Sequence, residues 1–251
     1  MTAFLEWGDG PPVVLLHGIG GAAALWEATA RGLAGRRVLA WNQPGYGGTP
    51  LIDPLTFAAL ADALADALPS PAVDLVGHSM GGMIAMEFAI RHPSRLRRLV
   101  LCATTPGFGG RDPAFAEAFM AARLGPLDAG RSMAECAAAL AGGMCGPGAD
   151  PGAEPAPIAA MAGVPAATYR ATLACLATFD RRAEIAGIAV PTLCLAGSED
   201  SVAPARTMQR MAAAIPGARF AVIEGGGHLP HLERPAVFQA ALRDFLAEPR
   251  G

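Results

Sequence analysis

Lysine is absent from the 251-residue sequence, in which all 19 basic residues are arginine. A catalytic Schiff base on lysine, a lysine anchor for pyridoxal phosphate and a Walker-type phosphate loop are therefore excluded. Charge is also sparse, because charged residues make up 16% of the chain and the net charge is −3. With no basic excess, we expect neither nucleic acid nor an anionic membrane as a partner.

Long apolar runs are missing as well, although hydrophobic residues make up 52% of the sequence. Glycine, proline and histidine interrupt the apolar stretches, so we expect no membrane span. The first ten residues include Glu6 and Asp9 and lack a basic start, so we expect no secretory signal. The cysteines are odd in number and form no Cys-x-x-Cys pair: Cys102, Cys136, Cys145, Cys175 and Cys194. We therefore expect free thiols and a location in the reducing cytoplasm. The protein is expected to be a monomer or a homodimer.

The segment Gly77-His78-Ser79-Met80-Gly81 has the Gly-x-Ser-x-Gly pattern of a nucleophile elbow. An apolar strand is predicted before it, over Val73–Val76, and a helix after it, up to Arg91. Ser79 is expected at positive φ, with the two glycines leaving room for the turn. The Met80 N–H at the helix start would then supply half of an oxyanion hole.

An acid and a histidine follow the serine in the order Ser79, Asp200, His228. This order is typical of α/β-hydrolases and differs from those of chymotrypsin and subtilisin. Asp200 would orient His228, which would act as general base and acid, although the adjacent Glu199 is an alternative acid. His231 and Glu233 invite a metal interpretation, but no further cluster completes a ligand set, so we expect no metal.

The second oxyanion donor is expected after the apolar strand that begins at Pro12 and leads into Leu16-His17-Gly18. Gly18 would allow close approach of the substrate carbonyl, leaving the N–H of Ile19, or alternatively of Gly20, to donate. The stretch from Gly18 to Ala23 also fits a dinucleotide fingerprint. No carboxylate ends the next strand to hold a ribose, so we expect no such cofactor.

Several motifs stand together in the order found in one superfamily: Leu-Leu-His-Gly at 15–18, Pro-Gly-Tyr-Gly-Gly-Thr at 44–49, the Ser79 elbow, Gly-x-x-Asp-x-x-x-Pro at 197–204 and Gly-His-Leu-Pro-His-Leu-Glu-Arg-Pro at 227–235. The chain thus resembles the α/β-hydrolases, in their small, capped, cofactor-free esterase and lactonase branch. The central and C-terminal motifs are most similar to those of 3-oxoadipate enol-lactonase and its relatives. Asn42 departs from the pattern, since many relatives have aspartate there.

This resemblance implies a doubly wound, mostly parallel sheet with a helical cap insertion. The sheet is expected to have seven or eight strands, and the short N-terminus, with room for only one strand before the His-Gly strand, favours seven. Strand and helix patterns alternate except from about 106 to 185, where only short helices are predicted, most clearly over 114–124, 132–144 and 165–179. We predict a core of residues 1–105 and 186–251 with a cap of residues 106–185 over Ser79.

The predicted function is hydrolysis of a small carboxylic ester or lactone by a serine nucleophile. Thioester hydrolysis, C–C bond hydrolysis and slow-turnover ligand binding on the same fold remain open. Arginine or backbone donors would have to bind any anionic substrate, and the candidates in or beside the insertion are Arg111, Arg123, Arg131, Arg170, Arg181 and Arg182. Packing roles are expected for Trp26 and for Met120, Met133, Met144 and Met161, and structural or pocket-lining roles for His17 and His78.

Overall fold

A seven-stranded sheet forms the centre of the computed structural model, which describes residues 3–109, 113–141, 143–150 and 152–248. The strands are β1 (Phe4–Trp7), β2 (Pro12–Leu16), β3 (Arg37–Trp41), β4 (Val73–His78), β5 (Leu96–Cys102), β6 (Thr192–Gly197) and β7 (Arg219–Ile223). Their spatial order is β1-β3-β2-β4-β5-β6-β7, with β1 antiparallel to β3 and all other neighbours parallel. The predicted mostly parallel sheet is therefore confirmed, and of the seven or eight strands expected it has seven.

Ten α-helices lie within the described residues: α1 (Glu27–Gly32), α2 (Phe57–Ala67), α3 (Met80–Arg91), α4 (Pro113–Asp128), α5 (Met133–Ala141), α6 (Pro155–Ala162), α7 (Ala166–Leu176), α8 (Ala205–Ala214), α9 (Pro230–Glu233) and α10 (Pro235–Ala247). Four of them, α4 to α7, lie between β5 and β6 along the chain. No helix in the described part of the chain is long and apolar enough to cross a membrane.

Alternation along the strands builds two hydrophobic layers. In β2, Val14 and Leu16 belong to the cluster that includes residues of α2, α3 and α8. Val13 and Leu15 point to the opposite cluster, which contains residues of α1 and α10 and the fully buried Trp26. Because successive strand residues face opposite sides, each strand contributes to both layers and fixes the sheet between them.

The region between β5 and β6 differs in detail from the sequence-based expectation. The helix predicted over 114–124 runs on to Asp128, through Pro126. Proline removes one backbone donor, but the following turns are closed by the Ala129 N–H to Gly125 and the Arg131 N–H to Pro126. Helix α6 lies outside the predicted helices, because its Ala- and Pro-rich sequence carries a weak periodic signal. Within this region the described residues form one isolated bridge, between Gly107 and Asp180.

Candidate active site

Ser79 occupies a tight turn between β4, which ends at His78, and α3, which begins at Met80. Its backbone has φ 53° and ψ −122°, so the predicted positive φ is present. Two hydrogen bonds support this unusual conformation: the Ser79 N–H donates to Cys102 O at 2.9 Å, and Thr104 Oγ1 donates to Ser79 O at 2.7 Å. A strained residue persists only where its surroundings hold it, and β5 with the following Thr104 does so here.

The two glycines of the elbow are required by close backbone approaches. A Cβ atom on Gly77 would collide with the carbonyl of Gly81, and one on Gly81 would collide with the carbonyl of Leu16. Backbone atoms cannot move aside as a flexible side chain can, so larger residues would push the turn away from β2. The sequence pattern therefore reflects the packing of this turn between two strands and a helix.

Ser79, His228 and Asp200 form a continuous chain of hydrogen bonds. Ser79 Oγ lies 3.0 Å from His228 Nε2, and His228 Nδ1 lies 2.9 Å from Asp200 Oδ2. An ionised carboxylate can only accept, so Nδ1 carries the proton and Nε2 is the acceptor for the serine hydroxyl. The structure thus brings together three residues that are far apart in the sequence, at the carboxyl edge of the parallel strands.

Asp200 is held as an anion in spite of its burial. Burial alone would raise its pKa, but the neighbouring His228 and hydrogen bonds from His228, Ala203 and Val202 lower the pKa below the ordinary value. The backbone N–H groups of Val202 and Ala203 donate to Oδ1 at 2.8 and 2.9 Å. Glu199, by contrast, is exposed and accepts a hydrogen bond from the Ser198 hydroxyl. The geometry favours Asp200 over Glu199 as the partner of His228.

The two predicted oxyanion donors belong to different elements: Ile19 lies in the loop after β2, and Met80 is the first residue of α3. Neither the Ile19 N–H nor the Met80 N–H has a hydrogen-bond acceptor among the described residues. The alternative donor, the Gly20 N–H, lies 3.4 Å from the Tyr46 hydroxyl. A Cβ on Gly18 would come within 3.3 Å of Ser79 Oγ, so the absence of a side chain there keeps the backbone close to the nucleophile.

Glu233 organises the loop that carries His228. Its buried carboxylate accepts N–H bonds from Gly146, Gly227 and Leu229, each at 2.7 Å. In addition, the His228 N–H donates to Met144 O at 2.8 Å, so the segment after α5 is tied to the histidine loop.

The described residues contain no group of three or more His, Cys, Asp or Glu side chains suited to a metal ion.

Glu233→Gln is expected to lower the free energy of unfolding by about 2 kcal/mol, because the amide turns a donor toward buried N–H groups. For a chain of this size, this corresponds to a fall in Tm of roughly 4–8 °C. Thermal denaturation followed by circular dichroism measures the change. Glu224→Gln, at an exposed carboxylate, is the matched control and should leave Tm nearly unchanged. Equal Tm values for the two variants would contradict the stabilising role of Glu233.

Three further histidines, His17, His78 and His231, are buried and held neutral, because burial lowers the pKa of each. Burial lowers the pKa of His17 to about 4 and that of His78 to about 3. His78 Nε2 donates to the His228 carbonyl at 2.7 Å, and His231 stacks on Trp26 with ring centroids 4.3 Å apart. His17 and His78 therefore line the cavity and support the backbone, and Trp26 is a core residue, in agreement with the sequence-based interpretation.

A cavity of about 1030 Å³ opens above Ser79 and His228. Its walls include the loop after β2 and residues from each helix from α3 to α8. Of the four methionines expected to pack, Met144 and Met161 line this cavity, whereas Met120 and Met133 do not. Met161, on α6, both packs against the core and lines the cavity, whereas Met144 lies in the turn after α5 and lines the cavity, where packing alone had been expected.

The candidate arginines separate into distinct environments. Arg170 pairs with Asp128, Arg181 with Glu87 and Arg182 with Asp180. Arg123 and Arg182 line the cavity, and Arg131 does not. Arg111 lies outside the described residues. The sequence analysis assigned no supporting role to Thr104 or Glu233. The position of Glu233 in the Gly-His-Leu-Pro-His-Leu-Glu motif, close to His228, was the signal that could have indicated its role.

Comparison with known proteins identifies the family. A profile described as the alpha/beta hydrolase family matches residues 13–241. The pimeloyl-[acyl-carrier protein] methyl ester esterase of Aeromonas hydrophila is 31% identical over 248 residues, which cover 96% of this chain and 97% of that protein.

Two solved structures share the whole architecture. A thermophilic esterase from Thermogutta terrifontis has a TM-score of 0.85 at 27% identity, over 97% of this chain and 92% of that one. The enol-lactonase from Burkholderia xenovorans LB400 has a TM-score of 0.83 at 26% identity, over 98% and 96%. The predicted fold and superfamily are confirmed: the chain belongs to the alpha/beta hydrolase family.

Proposed function

We propose that this protein is a serine hydrolase that cleaves a small carboxylic ester or lactone through an acyl-enzyme on Ser79. The observation that carries the proposal is the hydrogen-bond chain from Ser79 Oγ through His228 to Asp200, with distances of 3.0 and 2.9 Å. A serine hydroxyl is a weak nucleophile unless an adjacent base accepts its proton, and His228 Nε2 is in position to accept it.

In the first half-reaction, Ser79 Oγ attacks the ester carbonyl carbon and its proton passes to His228 Nε2. The negative charge develops on the carbonyl oxygen, where the Ile19 and Met80 N–H groups would donate to it. Asp200 stabilises the imidazolium by accepting the hydrogen bond from Nδ1. When the tetrahedral intermediate collapses, the C–O bond breaks, and the departing alcohol oxygen takes the proton from His228.

In the second half-reaction, water replaces the alcohol. His228 Nε2 accepts one proton from the water as its oxygen attacks the acyl carbon, and returns that proton to Ser79 Oγ when the acyl-enzyme bond breaks. The products are a carboxylic acid and the restored serine. With a lactone, the alcohol released in the first half remains attached to the acyl group, so a single hydroxy acid leaves the site.

We further propose that the segment 106–185 acts as a cap over the catalytic residues. Its helices supply Phe115, Phe119, Ile158, Met161 and Tyr169 to the cavity wall, so the substrate would lie between cap and core. A mostly apolar cavity with few polar groups is typical of small-molecule sites. The relatives named as an esterase and an enol-lactonase support the same substrate class.

A hydrolysis panel tests this proposal. It comprises p-nitrophenyl esters, a simple lactone, an enol-lactone, an acyl thioester and a vinylogous diketone that is cleaved at a C–C bond. We expect turnover of at least one ester or lactone, with release of the acid in stoichiometric amounts. Turnover of the thioester or the diketone alone would replace the ester assignment, and binding without product release would replace hydrolysis with ligand binding.

Acyl-chain length should strongly affect the rate. For p-nitrophenyl esters, we expect kcat/KM to fall steeply once the acyl chain outgrows the cavity, by about tenfold for each 1.4 kcal/mol by which steric exclusion destabilises the transition state. Initial rates at low substrate concentration measure this dependence. Equal or rising efficiency toward long-chain esters, or activation by a lipid interface, would contradict a closed cap and favour a lipase-like mechanism.

A further inference from the structure

The cavity contains a second polar site on its cap side, formed by Arg123 and Tyr169. Arg123 lies on α4 one turn after Phe119 and two turns after Phe115, and this spacing of four places all three on one face of the helix. All three residues line the cavity, as does Tyr169 on α7. This site is separate from the Ser79, His228 and Asp200 chain but opens into the same space.

The Arg123 guanidinium has no carboxylate partner among the described residues. It lies 3.4 Å above the Phe119 ring centroid and donates to the Phe119 carbonyl at 3.4 Å. Burial lowers its pKa, and the nearby Tyr169 opposes this effect. A partly buried cation without an anion is costly, and a ligand carboxylate would offset this cost.

Tyr169 provides a second unused donor. The residue is 1% exposed, and its hydroxyl makes no hydrogen bond with any residue in the described ranges. The neighbouring Tyr46 hydroxyl, in contrast, donates to Thr172 Oγ1 and lies near the Gly20 N–H. Because Tyr169 lines the cavity and its hydroxyl makes no hydrogen bond within the described ranges, the hydroxyl is available to donate to a ligand acceptor.

The charge of the cavity agrees with an anionic ligand. Besides Arg123, the charged lining residues within the described segments are Arg182, Arg210 and the exposed Glu154. Arg182 is already paired with Asp180. The wall therefore carries more cations than carboxylates, and Arg123 is the cation placed beside aromatic rings and the Tyr169 hydroxyl.

We propose that Arg123 and Tyr169 bind a carboxylate at the far end of the substrate, so that the preferred substrates are acids bearing an ester or lactone. This inference rests on the proposed function, in which the ester carbonyl lies at Ser79. The guanidinium would donate to the carboxylate oxygens and the phenol would add a third donor. The carboxylate sits away from the reacting carbonyl, so it is bound alike in the ground state and the transition state.

Matched pairs of substrates test the proposal: the monomethyl esters of succinic, glutaric, adipic and suberic acid, each against its neutral dimethyl ester. For the best chain length, we expect the wild-type protein to prefer the half-ester. Arg123→Gln should lower kcat/KM for that half-ester by about 10- to 100-fold, chiefly through KM, and change the value for the dimethyl ester less than about twofold. Tyr169→Phe should lower kcat/KM less, but again for the half-ester and not for the dimethyl ester. Arg123→Lys should retain part of the kcat/KM for the half-ester that Arg123→Gln loses.

Arg170→Gln is the matched control, because Arg170 belongs to the cap, pairs with Asp128 and does not line the cavity. Equal losses on charged and neutral esters in Arg123→Gln, or no loss on either, would overturn the proposal and leave the proposed function intact. A binding measurement tests the carboxylate site independently of the proposed hydrolysis, because it requires no turnover. Calorimetry would compare the binding of monomethyl adipate and its homologues to Ser79→Ala with their binding to the double variant Ser79→Ala, Arg123→Gln. Undiminished binding in the double variant would also overturn the assignment of Arg123.

Discussion

Ser79→Ala is expected to lower kcat for ester hydrolysis by roughly 10⁴- to 10⁶-fold, because the attacking hydroxyl is removed while the oxyanion donors and the cavity remain. The fold should be preserved, since Ser79 holds the turn through its backbone N–H and carbonyl, whose partners are Cys102 and Thr104. Steady-state kinetics on the best ester of the panel, together with a thermal melt, measure both effects.

The control for this substitution is Ser94→Ala, at an exposed serine in the 3-10 turn Pro93–Arg95. It should retain wild-type kcat and KM. Substantial turnover by a folded Ser79→Ala protein would exclude the acyl-enzyme mechanism. In that case the hydrolytic water would have to be activated directly by His228.

Asp200→Asn is expected to lower kcat by about 10⁴-fold with little change in Tm. The amide preserves the shape of the side chain, but its NH₂ group can face His228 Nδ1 and stabilise the tautomer in which Nε2 carries the proton. Nε2 then cannot accept the proton of Ser79. The variant also removes the negative charge that stabilises the imidazolium formed during attack.

Glu199→Gln is the matched control, since it makes the same chemical change at the neighbouring, exposed carboxylate. We expect kcat within about twofold of the wild-type value, as is usual for an exposed surface change. The reverse ranking of the two variants would assign the acid to Glu199 and would contradict the hydrogen bond between Asp200 Oδ2 and His228 Nδ1 as the functional one.

The elbow at Ser79 could be predicted because its determinants are local. A buried strand, two glycines and a helix start lie within a few residues of one another, and together they specify the turn and its positive φ. The sheet could also be predicted from the sequence, because parallel strands that are buried on both faces give continuous apolar runs such as β2 and β4. The order of Ser79, Asp200 and His228 along the chain, typical of α/β-hydrolases, then predicted that these three residues act together.

The rest of the site could not be predicted from the sequence, because it depends on contacts between residues that are far apart along the chain. Glu233 resembled a possible metal ligand, but its carboxylate is engaged by three N–H groups, one of them from Gly146, which is 87 residues away in the sequence. Arg123 was one of six arginine candidates. Among those that the structure describes, it differs from Arg170, Arg181 and Arg182 in having no ion pair, and from Arg131 in lining the cavity beside the Tyr169 hydroxyl. Helix α4 continues past Pro126 for a similar reason, because later hydrogen bonds compensate for one missing donor.

Labelling with a fluorophosphonate, followed by intact mass and peptide mapping, tests the central claim most directly. The reagent phosphonylates no ordinary surface serine at a comparable rate, because it requires a nucleophile activated by a base and an oxyanion site. We expect one adduct per chain, located on Ser79, lost in Ser79→Ala and strongly slowed in His228→Ala. An adduct at another residue, or ester hydrolysis that proceeds while Ser79 stays unmodified under saturating reagent, would contradict the account.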